Sequence, residues 1–355
     1  MWYVNKRIFI NFVVFHFRMK EIIFFKDIDN IFRKTLFDEF KDIFHKDDKI
    51  AVKLHMGEKG NPYYLKPEFV KIFVETLKEL KTKPFLFDSP VMYPGGRHTA
   101  DKYLETAAEH GFTEKIIGCL IVISNESECI KTEHLKVEVC KPLLEADGLV
   151  VLSHVKGHMC CGFGGAIKNL GMGGVSIKTK ANIHNFANPI FAGECTGCGT
   201  CAKICPASTI SIKDKKANFN YSGCWGCGQC IVSCPSNVLK PKIATFDRLI
   251  AEGASAVLKN KKKTYFINVI KDIAKLCDCC SDPGEIVLED IGIIMGNDIV
   301  AVEKASLDLI NEKAGKDLFL EIHKKSPLEH IKEAKELGLG CLDYKLKDNI
   351  FNPKI

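Results

Sequence analysis

One pattern constrains this chain more than any other. Cys195-x-x-Cys198-x-x-Cys201-x-x-x-Cys205-Pro206 recurs 29 residues later as Cys224-x-x-Cys227-x-x-Cys230-x-x-x-Cys234-Pro235. Three thiolates on one tight loop reach three irons of a cubane, whereas the fourth, displaced by the start of a helix, reaches the neighbouring cubane. The spacing predicts two 4Fe–4S clusters. One sits on Cys195, Cys198, Cys201 and Cys234, and the other on Cys224, Cys227, Cys230 and Cys205. Gly197 and Gly199 recur as Gly226 and Gly228, which lets backbone N–H groups approach the sulfurs. Zinc on the Cys-x-x-Cys pairs is the alternative, and two complete copies with both prolines weigh against it.

The chain carries 17 cysteines in 355 residues. A secreted disulfide scaffold is short and usually even in cysteine number. This long chain with an odd count reads instead as reduced thiols in the cytoplasm of an anaerobe. Lys plus Arg exceed Asp plus Glu by only 50 to 44, and the surplus is scattered. A nucleic-acid binder concentrates its basic residues on one face, so none is expected as a partner. Hydrophobic residues at 46% leave ample material for a core.

Short apolar runs alternate with helical patterns, the signature of βαβ units. Expected strands are 50–54, 85–87, 119–123 and 149–153, then 264–270 and 286–295. Helices are expected at 99–110, 246–258, 298–310 and 328–337. Phe69, Val70, Phe73, Leu77 and Leu80 mark a further helical stripe. Gly111 is placed for a left-handed helix cap, and Asp298 for an N-cap. The fold class is α/β: a largely parallel sheet with helices on its faces, interrupted by a small α+β two-cluster ferredoxin-like domain. The divisions are residues 19–186 and 242–355 for the α/β domain and 187–241 for the insert, with a hairpin expected from Thr209–Ile212 and Asn218–Tyr221.

Residues 1–18 stand apart. Ile8–Phe17 is apolar, but ten residues are too few to cross a bilayer as a helix, and no signal cleavage site follows. Met19 opens a better start, with a strand at 21–25 and a helix at 29–45. No membrane partner is expected.

A second chemistry lies outside the insert. Strand 149–153 runs into His154-Val155-Lys156-Gly157-His158-Met159-Cys160-Cys161, followed by six glycines in residues 162–174. In open α/β sheets, ligands bind beyond the carboxyl ends of strands. Candidate catalytic residues are His154, His158, Lys156, Lys168 and Lys53, as proton donors or clamps on an anionic small molecule. The glycine-rich loop fits neither nucleotide-binding signature. His55 shares a side with Lys53 by the strand's period of two, and Asp88, Tyr93, Arg97 and His98 follow a third strand. Cys277, Cys279 and Cys280 form a candidate third site, for a soft metal or a third cluster, with Cys160, Cys161 or His158 as further ligands. Unligated thiols in an oxygen-free cell are the alternative.

The insert resembles the bacterial two-cluster ferredoxin domain, with every ligand position intact. The chain from about Ile50 to Asn311 resembles the iron–sulfur centre proteins described as domain of unknown function 362. That resemblance rests on Val52-Lys53-Leu54-His55-Met56-Gly57, Ser153-His154-Val155-Lys156-Gly157-His158, Lys168-Asn169, Cys277-Asp278-Cys279 and Asp290-Ile291-Gly292. It implies an α/β domain joined to a ferredoxin domain and brings no established reaction. The leading expectation is an iron–sulfur redox protein, an oxidoreductase of unknown substrate, whose clusters exchange electrons with a site on the α/β domain. A redox partner protein or low-potential donor would supply them. The alternative is a non-catalytic electron carrier whose α/β domain docks a partner enzyme.

Overall fold

Successive side chains of a strand leave opposite faces of the sheet, and strands buried on both faces are apolar throughout. The computed structural model describes residues 19–348 and follows this rule. Its main sheet has eight strands: β1 (Lys20–Phe25), β2 (Lys49–Lys53), β3 (Lys83–Asp88), β4 (Leu120–Ile123), β5 (Gly148–His154), β6 (Lys263–Ile270), β7 (Gly292–Gly296) and β8 (Tyr344–Asp348). Their order is β8-β1-β7-β6-β5-β2-β3-β4. The run from β6 to β4 is parallel throughout, and only β7 lies antiparallel to its neighbours β1 and β6. The expected α/β class with a largely parallel sheet is thus observed.

Alternation divides the interior into two cores. Val150, Leu152, Val52, Leu86 and Ile267 face helices α1 (Asn30–Lys41), α2 (Pro67–Glu79) and α3 (Ala100–Glu109). Leu149, Val151, Ala51, Phe87 and Phe266 face α4 (Ala166–Gly171), α5 (Phe246–Leu258) and α6 (Ile299–Ala314). At about 25 cal/mol per Å² of apolar surface, two such faces supply the bulk of the driving force.

Local signals act as expected at several ends. Thr99 accepts from the Lys102 N–H to start α3, and Gly111 follows its end with φ of +88°. Asp298 accepts from Ala301 N–H at 3.0 Å to start α6, and it also accepts from Cys341 N–H. Two expectations need correction. Residues 286–295 are not one strand: Ile286–Leu288 pairs with Ile273–Ala274, whereas Gly292–Gly296 joins the main sheet. Between them Asp290 accepts the Asp272 N–H at 2.8 Å, which bends the chain. The helix expected to reach residue 45 ends at Lys41. The reading of residues 1–18 lies outside the described residues.

Pro189–Phe191 and Leu239–Pro241 pair antiparallel across the neck of the cysteine-rich segment. Inside it, Ile210–Lys213 and Lys216–Phe219 form the hairpin. Each cysteine loop leads into a short helix, Thr200–Ile204 or Gln229–Val232. Among the described residues, no helix is long and apolar enough to cross a membrane.

Candidate functional site

The carboxyl ends of β2, β3 and β5 open onto one cavity of about 500 Å³. β2 contributes Lys53, and His55 follows it. β3 ends at Asp88, next to Ser89. Ser153 and His154 come from the end of β5. The glycine-rich loop adds Lys168 and Asn169, while Cys277–Cys280 forms another wall. The far side is Ser222–Trp225, which carries the first cysteine of the second loop. Met92, Met159, Met172, Phe246 and Leu276 make much of the remaining surface apolar.

Lys53 is buried and held on two sides. Its Nζ donates to Asn169 Oδ1 at 2.6 Å and pairs with Asp88 Oδ1 at 3.0 Å. Asn169 in turn donates to Leu152 O and Ser153 Oγ, so the loop is tied to β5. Burial lowers the Lys53 pKa, and Asp88 opposes that shift. A Cβ on Gly173 would lie 2.4 Å from Lys53 Nζ; only a glycine lets the amine reach this position.

His154 bridges two acceptors, Asp278 Oδ2 at 3.0 Å and Lys271 O at 2.7 Å. Lys156 does not line the cavity. It is buried, donating to Tyr63 O at 2.9 Å and Asp272 O at 2.6 Å, with Asp278 Oδ1 at 3.5 Å. Burial raises the Asp278 pKa, but His154 and Lys156 outweigh it and leave the carboxyl below its ordinary value. His154 and Lys156 therefore fix the cysteine-bearing loop through Asp278.

His158 turns the other way, towards that loop. A ring nitrogen of His158 and the sulfurs of Cys277 and Cys279 all lie within 4.8 Å of one another. Cys277 and Cys279 are joined as a disulfide. His158 Nδ1 meets Cys160 N–H at 3.3 Å and Cys161 Sγ at 3.2 Å. Burial, reinforced by Lys168, holds the imidazole well below its ordinary pKa. Lys168 Nζ lies 3.8 Å from Cys277 Sγ, and among the described residues it forms no ion pair with a carboxylate. Cys280 lines the cavity, but it is not one of the three converging ligands.

The two cysteine loops share a backbone. Gly197 and Gly226 both have φ of +68°, and Gly199 and Gly228 have +79° and +77°. These left-handed turns are glycine's province. Burial pushes the Cys230 thiol up to about 12, and Cys227, Cys224 and Cys205 push it the same way. Cys201 is influenced by Cys195 and Cys198 instead. Cys205, the last cysteine of the first unit, lies near enough to Cys224, Cys227 and Cys230 to act on their thiols. Of the eight cysteines, Cys201 and Cys230 are buried and Cys198 is exposed; neighbouring thiolates ionise together only beside a cation, which a metal group would supply.

The second loop is the one anchored to the α/β core. Trp225 O accepts from His184 Nδ1 at 2.8 Å and lies 3.7 Å from Cys160 Sγ. Gln229 Nε2 donates to His323 O at 2.6 Å, and Cys227 packs against the main core. The first loop carries the exposed Cys198.

A model of a domain of unknown function (DUF362) matches residues 50–308, well over half of the chain. The chain belongs to the DUF362 family. The matched segment begins in β2 and ends in α6, and so contains the whole cavity wall described above. No curated protein matches the chain. Among solved structures, a structural-genomics protein from Thermotoga maritima is similar with a TM-score of 0.42 and 10% identity, over 88% of this chain and 60% of that one. The lactate racemase apoprotein from Thermoanaerobacterium thermosaccharolyticum gives a TM-score of 0.35 and 12% identity, over 71% of this chain and 51% of that one. The chain therefore spans less than two thirds of either structure. Its cysteine-rich, metal-compatible groups are compatible with an iron–sulfur protein.

In this DUF362 chain the cavity also holds residues that pattern reading passed over. Lys180 donates to Ser89 Oγ at 2.7 Å, and burial brings its pKa down to about 8. Arg97, a cavity residue that sequence reading did single out, pairs with buried Glu58 at 3.0 Å. Lys180 sits in a helix with no motif around it, so no sequence signal marked it. Trp225, also at the cavity wall, went unmarked too, and its place inside a Cys-x-x-Cys loop is the signal that points to it.

Proposed function

We propose that the protein is a redox protein in which residues 187–241 hold two 4Fe–4S clusters beside a substrate cavity on the α/β domain. Cys195, Cys198, Cys201 and Cys234 would hold one cluster, and Cys224, Cys227, Cys230 and Cys205 the other. The observation that carries the reading is the shared wall: Cys224 and Trp225 line the same cavity as Lys53, His154, His158 and Lys168. Such clusters supply electrons one at a time, at potentials set by hydrogen bonds to sulfur and by exposure.

The chain's own residues define what the cavity accepts. Lys168 offers a cation without a carboxylate partner, half-buried where solvent screens it less than at the surface. It suits a carboxylate or phosphate on an otherwise apolar molecule, whose body the methionines and Phe246 would contact. Asn169 and Asp88 hold Lys53 at the edge of this site. His154 is the proton-carrying group at its wall. Exposed Cys198 leaves the first loop accessible to a low-potential redox partner. The cavity, lined by lysines and histidines beside the cysteine-rich insert, favours an oxidoreductase over a bare carrier.

Iron and sulfide per chain, with EPR before and after reduction, test this on anaerobically purified protein. About eight irons and two interacting clusters are expected. Undamaged protein with far fewer irons would overturn it.

A further inference from the structure

Cys277 and Cys279, joined as a disulfide, are not used by the reading above, and their sulfurs converge on a histidine. We propose that His158, Cys277 and Cys279 form a mononuclear site for a soft divalent metal of the zinc class, with its fourth position open to the cavity. The site does not depend on whether clusters fill the cysteine-rich insert.

Geometry comes first. Zinc bonds of about 2.0–2.3 Å in a tetrahedron place the ligand atoms about 3.3–3.8 Å apart. The imidazole nitrogen and the two sulfurs lie within 4.8 Å of one another, close enough for small side-chain rotations to complete that triangle. The donor set is two thiolates and one imidazole, and three protein ligands with an open fourth position are the arrangement of a reactive rather than a structural zinc. Here the fourth position faces a cavity of about 500 Å³.

Neighbouring groups are already committed elsewhere. The Cys161 thiol donates to Phe163 O at 3.0 Å, and its sulfur meets His158 Nδ1. With the ring proton on Nδ1 donated to the Cys161 sulfur at 3.2 Å, in place of the acceptor role towards Cys160 N–H, the Nε2 lone pair is free for the metal. Cys160 Sγ points to Trp225 O. Cys280 is turned out of the triangle, so the site lacks the four cysteine donors of a cubane.

The ligand loop is also built to hold still. Glu58 N–H donates to Asp278 O at 2.9 Å, Tyr93 OH to Cys279 O at 3.0 Å, and Asn61 Nδ2 to Cys280 O at 2.7 Å. The Asp278 side chain is gripped from the opposite side by His154 and Lys156. Three consecutive residues, Asp278 to Cys280, are thereby held, with Asp278 fixed from both sides, the kind of support that orients metal ligands. An ordinary surface loop has no such need.

The metal enters the dithiol form. A dithiol reductant such as dithiothreitol gives two electrons and two protons to the Cys277–Cys279 disulfide and leaves as its own cyclic disulfide. The two thiols then release their protons to solvent as the divalent ion binds. Two thiolates and a neutral imidazole cancel the charge of the ion, which leaves Lys168 as the cation of that wall.

The test uses full-length protein purified anaerobically with dithiothreitol, measuring zinc, iron and cobalt uptake on wild type and on Cys277→Ser, Cys279→Ser and His158→Gln. The wild type should hold about one zinc per chain beyond its iron. Cobalt(II) should give thiolate charge-transfer absorption, seen as a difference spectrum against the serine variants. Each substitution should weaken cobalt binding at least about tenfold, since even outer-shell changes cost that much. Iron content should stay the same across the set, which separates this site from the cluster proposal. If His158→Gln fails to fold, the two serine variants still decide. Equal zinc and equal cobalt spectra in wild type and the serine variants would overturn the site. So would about twelve irons that fall to about eight in Cys277→Ser, which would indicate a third cluster instead.

Discussion

The sulfur of Cys160 lies 3.7 Å from the carbonyl oxygen of Trp225, so a strand-end loop of the α/β sheet touches the second cysteine loop directly. His184 reaches the same carbonyl at 2.8 Å. The two contacts seat Cys224 against the cavity and leave the first loop further out. The asymmetry gives the two cysteine units different neighbours despite their matched backbones.

Gly226→Ala should damage one cysteine unit and spare the other. A Cβ there would lie 2.6 Å from His184 O and 2.9 Å from Ala187 Cβ, at a residue with φ of +68°. The second loop must lift off the core. Iron should drop from about eight to about four per chain, with the remaining cluster retained on Cys195, Cys198, Cys201 and Cys234. Full iron content in Gly226→Ala would refute the assignment of this loop as the anchored one.

Glu252 should govern part of the acid stability. Its side chain is buried and accepts from Thr132, from His134 and from Arg248 Nε at 3.1 Å. Burial pushes its pKa up, but these hydrogen bonds outweigh it and hold the carboxyl below the usual 4.5. The folded state therefore binds the proton less readily than the unfolded chain. Its contribution is complete above the ordinary value and is lost as pH falls through the lowered one. Glu252→Gln should cost about 3 kcal/mol at pH 7, the low end for breaking a buried pair. Denaturant unfolding should show the gap between wild type and variant closing below about pH 4.5. A gap that stays constant with pH would contradict this account.

What could be read in the sequence depended on how local the signal was. β5 was legible because a central parallel strand is buried on both faces, and Leu149–Leu152 is one apolar run. Phe246–Leu258 was read to the residue from its apolar period. The hairpin of Ser127–Lys131 and Lys136–Cys140 escaped because its first strand is largely exposed and shows no apolar alternation. Pairing of β1 with β8 and β7 joins residues hundreds of positions apart, which no window can show. The site followed the same division. Lys53 and His55 were placed on one side by strand period, and both line the cavity. Lys156 looked equivalent to His154 and His158, but β5 ends at His154 and a separate ladder, 156–158 with 162–164, begins. The period does not carry across that break, so Lys156 turns to Asp278 and the cavity loses it.

Gly173→Ala should act through Lys53. The added carbon would lie 2.4 Å from Nζ and 2.6 Å from Asn169 O, both held in place. Overpacking of this kind costs about 1–3 kcal/mol. Lys53→Met should cost about 3 kcal/mol, because Asp88 is left buried beside Tyr103 without its cation. In the double variant the conflict with Nζ is relieved while that with Asn169 O remains, so the two losses should add to less than their sum in chemical unfolding. Strict additivity would show that Gly173 does not serve Lys53.

Lys168 should decide which molecules the cavity holds. Lys53 is matched by Asp88 and Arg97 by Glu58, whereas among the described residues Lys168 pairs with no carboxylate and lies 3.8 Å from the sulfur of Cys277. An anionic group entering the cavity therefore meets Lys168 without a carboxylate partner, whereas Lys180, also unpaired with a carboxylate among the described residues, is held by oxygens of Ser89 and Pro90. A charge-assisted hydrogen bond contributes about 1.5–3 kcal/mol, or roughly ten- to hundredfold in affinity. Native mass spectrometry of anaerobic protein against matched pairs of aromatic carboxylates and their amides should show the carboxylates retained. Lys168→Ala should erase that preference with iron content unchanged, and Lys168→Arg should restore part of it. Salt should weaken the interaction only modestly, because the amine is half-buried. If carboxylate and amide bind equally to wild type, the cavity does not select for charge, and Lys168 serves only to steady the Cys277 loop.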